Sequence, residues 1–178
     1  MNAPNNIIIN HYSKGKLYEF IIEAIKNAGI DLNKLKVEDL KSVDEFHIGG
    51  IQATLDLLDQ LKIKPKTKIL DIGSGIGGLA RLISTHYGAN VTGIDITPDF
   101  VETAIKINNL LGLNIKFKIG NALNIPFDKN EYDLVTLLHV GMNIPDKNKL
   151  FSEVSRVLNK RGSFAIYDVM IVAEGDFK

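Results

Sequence analysis

The sequence contains no cysteine, which excludes a disulfide framework, a thiolate nucleophile and a cysteine-ligated zinc site. Neither sign of charge is in excess, because 21 Lys plus Arg balance 21 Asp plus Glu. A chain whose main partner is nucleic acid carries a basic surplus, so that partner is disfavoured. No apolar run approaches the roughly 20 residues that a membrane helix needs. The opening MNAPNNIIINHYSKGK places its lysines after its short apolar run, the reverse of a secretory leader. His11, His47, His86 and His139 share no i, i+4 spacing with a nearby acid, so no metal site is expected. There is no internal repeat and no low-complexity tract. A soluble chain in a reducing, cytoplasmic setting fits these absences.

What is present is ordinary for a globular protein: 178 residues, 45% of them apolar and 24% charged. That length suits a single compact domain able to bury roughly 70% of its unfolded surface. Residues 1–64 read as a helical extension or lid. Leu17, Phe20, Ile21, Ala24, Ile25 and Ala28 recur at helical spacing, with Gly29 as a stop. A short second helix is expected within Asp31 to Val43. Ile51, Leu55, Leu58 and Leu61 form a third apolar stripe, and both long stripes read as packing surfaces. The alternating Lys62, Lys64, Lys66 and Lys68 read as a solvated edge.

Residues 65–178 change pattern. Strands are expected at Lys68–Ile72, Asn90–Asp95, Ile115–Ile119, Tyr132–Leu138 and Ser163–Val169. Helices are expected at Gly78–Tyr87, Pro98–Leu111 and Asp146–Leu158, with Thr97 a cap and Arg161-Gly162 a stop before the last strand. Such alternation specifies an α/β fold, a Rossmann-like parallel sheet with helices on both faces.

The first strand runs into Asp71-Ile72-Gly73-Ser74-Gly75-Ile76-Gly77-Gly78, and a helix follows. Gly73, Gly75 and Gly78 match G-x-G-x-x-G in the strand–turn–helix context that gives the pattern meaning. Gly73 would permit the tight turn, Gly75 would admit a ligand to the backbone, and Gly78 would let helix pack on strand. Asp95, at the end of the second strand, suits the hydroxyls of a ribose. These features point to a nucleoside-containing ligand. Asp71 stands two places before the first glycine, where a dinucleotide site has an apolar residue. A carboxylate there repels a pyrophosphate and attracts an ammonium group, which favours S-adenosyl-L-methionine over a nicotinamide dinucleotide. The plainer alternative for Asp71 is a carboxylate capping backbone N–H groups of the turn. Gly77 beside Gly78 suggests a turn more open than a pyrophosphate requires.

ILDIGSGIGG, VTGIDIT, GNALNIPF, YDLVTLL and SEVSRVLNKRGSFAIYDV together resemble class I S-adenosylmethionine-dependent methyltransferases over roughly residues 43–172. Within that class the chain resembles the small-molecule group acting on glycine derivatives, phosphoethanolamine and quinone precursors. DEFHIGGIQAT is similar to the lead-in of the sarcosine and dimethylglycine enzymes. The resemblance implies a small-molecule methyl acceptor, with Asp71, Gly73, Ser74 and Gly75 around the methionine part of the cofactor. It implies Asp95 at the ribose, Ile96 against the adenine face, and Asn121, Ala122 and Leu123 at the adenine edge. The class usually has aspartate where this chain has Asn121, whose amide oxygen can still accept from the adenine amine. His47, Gly49 and Gly50 would fold over the cofactor. His139 would stand at the mouth of the site, as general base or as a residue orienting cofactor or water. Asn143 replaces a histidine that many relatives carry.

Members of the class continue past the fifth strand with a helix and an antiparallel strand pair, completing a seven-stranded sheet. Those carboxyl-terminal strands are missing from this sequence, so the fifth strand is expected as an exposed edge open to self-association or a partner chain. Two other readings stay open: a non-catalytic cofactor-binding or interaction module, and a nicotinamide-dependent oxidoreductase.

Overall fold

Five strands form one parallel sheet: β1 (Lys68–Ile72), β2 (Asn90–Asp95), β3 (Lys116–Ile119), β4 (Tyr132–Leu138) and β5 (Leu158–Tyr167). Their order is β3-β2-β1-β4-β5 in a computed structural model that describes residues 16–44 and 50–169. The central strand β1 is buried from Ile69 to Ile72 on both faces, which is why its sequence is a continuous apolar run broken only by Asp71. Its register sets Asp71 opposite Gly93 of β2 and Thr136 of β4.

The α-helices are α1 (Leu17–Asn27), α2 (Lys41–Asp44), α3 (Gly50–Asp59), α4 (Gly78–Tyr87), α5 (Pro98–Leu110) and α6 (Lys147–Val157) among the described residues. Leu150, Val154 and Val157 of α6 pack with Leu70, Ile72, Val135 and Leu137. Ala80 and Ile83 of α4 pack with Ile69, Val91, Leu134 and Leu58 of α3. The apolar stripe of α1 buries Leu17, Ile21 and Ile25 against Leu40 and Ile107 of α5. Each such side chain contributes about 1.5–3 kcal/mol when fully buried. The stripes are therefore packing surfaces, and Lys62, Lys64, Lys66 and Lys68 are exposed as expected.

Four expectations are corrected. The stretch from Asp31 to Val43 is not one helix but two 3-10 turns, Leu32–Lys34 and Val37–Leu40, followed by α2. The cause is local competition: Asp31 accepts from the Asn33 N–H and Asp39 from the Lys36 N–H, offering the backbone non-helical partners. β5 begins at Leu158 rather than Ser163 and ends at Tyr167, because Leu158 turns extended directly after α6 and pairs with Tyr132. Gly162 is then no helix stop. It lies inside the strand beside a register irregularity, where a Cβ would come within 2.7 Å of Leu158 and 3.1 Å of the Asp133 carbonyl. Thr97 occupies the cap position of α5, but its hydroxyl makes no cap bond.

Candidate functional site

β1 sits between β2 and β4, so the chain leaves β1 toward one side while β4 lies on the other. In sheets of this kind the crevice beyond the carboxyl ends of two such strands is where ligands bind. The residues after β1, β2 and β4 converge there.

The turn after β1 uses left-handed backbone at Gly73 (φ +72°), Gly75 (φ +52°) and Gly77 (φ +91°), conformations that other residues rarely adopt. The N–H groups of Gly73 and Ser74 both donate to the Ile94 carbonyl, at 2.8 and 2.9 Å, and dock the turn on β2. A Cβ on Gly73 would meet Val140 at 2.3 Å, whereas one on Gly75 would meet nothing within 4 Å. Gly75 therefore presents bare backbone to open space, as a ligand-facing glycine should. Gly77 and Gly78 differ from expectation. The space beside Gly77 is filled by Phe117 and Arg81, so the turn is not widened there. The space beside Gly78 is filled by Asp44 of α2.

Asp71 is 2% exposed, and its Oδ1 accepts a 2.9 Å hydrogen bond from the Thr136 hydroxyl. Its Oδ2 is buried with no hydrogen-bond partner. Burial, with a smaller push from the Asp95 charge, raises this carboxyl to about 7 against the opposing pull of Thr136. The carboxylate that caps the turn is Asp95 instead. Its Oδ2 accepts from Gly75 N–H at 3.0 Å and its Oδ1 from Thr97 N–H at 2.8 Å. The capping alternative for Asp71 is thereby removed. Ser74 Oγ is a second buried polar atom without a partner.

Ile96, next after Asp95, is 66% exposed. Asn121 lies in the loop after β3, where its Oδ1 accepts from Leu123 N–H at 2.8 Å; Ala122 and Leu123 pack partly into the core. His139 directly follows β4 in left-handed backbone (φ +53°). Its N–H donates to the Tyr167 carbonyl at 2.8 Å and its ring meets Tyr167 edge-on, centroids 4.9 Å apart. Gly50 opens α3 with φ +53°. His47 and Gly49 lie outside the described residues. Asn143, itself exposed, ends a 3-10 turn, Gly141–Asn143, pinned by Asp168 at the Met142 N–H and by Lys147 at the Gly141 carbonyl.

Two features escaped the sequence reading. Arg81 of α4 is fully buried, donating to the Ile76 carbonyl at 2.8 Å and to Asp44 at 2.5 Å. The loop after β3 is held by α6: Glu153 accepts from Ile125 N–H, and Arg156 donates to the carbonyls of Ile125 and Phe127. An arginine amid the apolar LARLIS run was the only hint of the first. The i, i+3 spacing of Glu153 and Arg156 hinted at their own pair, not at the loop. Among the described residues no cluster of histidine and acidic side chains could hold a metal ion. A cleft of about 130 Å³ lined by Val37, Lys41, Asp44, Leu82 and His86 touches none of the expected cofactor residues.

Residues 63–177 match the family model described as a methyltransferase domain, and the chain belongs to that family. It is 35% identical over 127 residues to phosphoethanolamine N-methyltransferase of Plasmodium falciparum, covering 67% of this chain and 46% of that protein. It is 36% identical over 113 residues to 24-methylenesterol C-methyltransferase 3 of Arabidopsis thaliana, covering 62% of this chain and 32% of the relative. Among solved structures it superposes with TM-score 0.64 and 34% identity on a protein assigned as a sarcosine dimethylglycine methyltransferase from Galdieria sulphuraria, over 65% of this chain and 46% of that one. Phosphoethanolamine N-methyltransferase 2 of Haemonchus contortus, solved with phosphomonomethylethanolamine and S-adenosylhomocysteine, gives TM-score 0.63 at 29% identity, over 66% of this chain and 28% of the other. The chain spans between about a third and a half of the curated relatives it matches.

Proposed function

We propose that this chain binds S-adenosyl-L-methionine in the crevice beyond β1 and β4 and transfers its methyl group to a small-molecule acceptor. The observation that carries the reading is Asp71: a buried carboxylate with one oxygen unpaired, beside a turn whose Gly75 backbone faces open space. That arrangement fits a cationic aminoacyl tail better than a pyrophosphate, which supports this reading over the nicotinamide alternative. Ser74 Oγ offers a further buried polar contact for the same tail. Asp95 keeps lone pairs on both oxygens for ribose hydroxyls while its turn contacts persist. Exposed Ile96 offers an apolar face to a base. Asn121 has its amide oxygen committed in part to Leu123, so its contact to an adenine edge is weaker than a carboxylate's.

The bound cofactor supplies an already activated sulfonium methyl, open to in-line displacement by the acceptor. What the protein has to do is align the partners and exclude water, which can account for much of the rate. His139, on the turn after β4, is the side chain we assign as general base for an acceptor that arrives protonated. Residues 1–64 act in this reading as an extension over the core formed by 65–178. The cysteine-free composition suits a cytoplasmic protein, and in the described residues no helix is long and apolar enough to cross a membrane.

The test is calorimetry with S-adenosylmethionine, S-adenosylhomocysteine and NAD, then turnover across a panel of amines and quinols. Binding of the first two only, with methyl transfer to one acceptor class, is expected. Binding without turnover favours a non-catalytic cofactor-binding module, and binding of NAD alone refutes the reading. In His139→Ala, turnover should fall about 10²–10⁴-fold with cofactor affinity held, as for loss of a general base. Full turnover removes that role.

A further inference from the structure

Arg81 is the largest fully buried side chain among the described residues, and its charge is met by Asp44, which is itself almost fully buried. The pair joins segments that the chain separates: Arg81 in the first turns of α4, Asp44 at the end of α2. The same guanidinium donates from Nη1 to the carbonyl of Ile76, inside the glycine turn and next to Gly75. One rigid fork thus grips the ligand-facing turn with one arm and the amino-terminal helical segment with the other. The fork is not fully satisfied, because Nε is buried without a partner. Burying an ion pair is a poor way to gain stability, since apolar replacements of similar volume often serve as well. A pair kept under those terms is explained better by the geometry it imposes. The glycines agree. A Cβ at Gly77 would meet Arg81 Nη1 at 2.9 Å, and one at Gly78 would meet Asp44 Cβ at 2.7 Å and the Asp44 carbonyl at 3.1 Å. Both glycines make room for the clamp, whereas Gly75 makes room for the ligand.

We infer that Arg81 and Asp44 are positioning residues that couple the amino-terminal helical segment to the cofactor turn, so that ligand in the crevice orders residues 37–44 and displacement of Asp44 weakens cofactor binding. This inference rests on the cofactor reading above. Ile76 is the link: its carbonyl moves with Gly75, whose N–H is held by Asp95 on the ligand side.

The experiment uses the whole 178-residue chain with S-adenosylhomocysteine as probe. Its affinity is measured by calorimetry for wild type, Asp44→Asn, Arg81→Lys, the double variant and Gly78→Ala, each checked by circular dichroism. Each single variant should bind roughly tenfold more weakly, within the usual range of coupling between sites. The double variant should be no weaker than the poorer single one. Gly78→Ala is the discriminating case. Its Cβ would collide with Asp44 Cβ and the Asp44 carbonyl, so the variant displaces Asp44 while leaving both charges in place. A displaced Asp44 expects the same loss as Asp44→Asn. Should the variants fail to fold, amide hydrogen exchange on wild type decides: the probe should slow exchange at residues 37–44. Native affinity in Gly78→Ala and Asp44→Asn, or exchange at 37–44 indifferent to the probe, overturns the coupling alone. Failure of the wild type to bind the probe at all overturns both the coupling and the reading beneath it.

Discussion

Asp71 holds its proton up to about 7 because β1 is buried on both faces and a carboxylate there loses its water. In the unfolded chain the same carboxyl ionises near 3.8. The folded state therefore binds more protons between those values, and the contribution of Asp71 to stability falls as pH rises through that window. Asp71→Asn should stabilise the free protein at pH 8, by about 2 kcal/mol after allowance for interior relaxation, and weaken cofactor binding roughly tenfold or more. Thermal unfolding and calorimetry on one sample check both, and a variant that loses stability contradicts the burial argument. In the proposed role, a carboxylate that costs stability in the empty crevice is the usual exchange between function and folding. The positions of Asp71, Gly75 and Asp95 at strand ends and in the turn were legible in the sequence because strand ends and turn glycines fix their own surroundings within a few residues. Arg81 was not, since its partner Asp44 lies 37 positions away and only the tertiary fold joins them.

Among elements, the loop between β3 and β4 shows how the site borrows rigidity. Ala122 and Leu123 pack against the core, but the loop's backbone is secured by Glu153 and Arg156 of α6. The Arg156 hydrogen bonds, with help from the Ile125 N–H, hold the Glu153 carboxyl down at about 2. Because the folded value is depressed, its contribution is present above the ordinary 4.5 and is lost as pH falls from there toward 2. Glu153→Gln should cost about 1–3 kcal/mol, the penalty for disturbing a buried charged network. It should also weaken adenosine-containing ligands more than it weakens free methionine. Equal loss for both would place the loop outside the base subsite. Strand and helix identities here followed from periodicity, and β1, β2 and β4 were legible to the residue. The turns of 31–43 and the early start of β5 were not. There Asp31 and Asp39 captured backbone N–H groups, and Leu158 followed Tyr132 into the sheet instead of waiting for Gly162.

At the scale of the molecule, β5 pairs only with β4 among the described residues, leaving a strand edge of ten residues. Phe151 and Ile166 are exposed beside it, and a groove of about 470 Å³ bounded by Phe151, Leu158 and Phe164 runs between α6 and β5. Unpaired edges of this length invite further pairing. Light scattering should show self-association that Ile166→Lys reduces; a clean monomer at high concentration would count against it. The parallel architecture was legible because alternating strands and helices allow few other folds, and the switch between β1 and β4 follows from that order.

The most direct measurement is the affinity of S-adenosylhomocysteine from pH 5.5 to 9, by calorimetry in buffers of different ionisation enthalpy. An ionised Asp71 and a protonated ligand ammonium are both required; the first is gained above about 7, and the second is lost only at higher pH, because the ligand's own carboxylate holds its ammonium above the range of a peptide amino terminus. Affinity should therefore rise as pH passes through about 7, with a proton released on binding below that value, and Asp71→Asn should remove this acid limb. A flat profile, or an Asp71→Asn protein that binds as tightly as wild type, would contradict the assignment of this crevice.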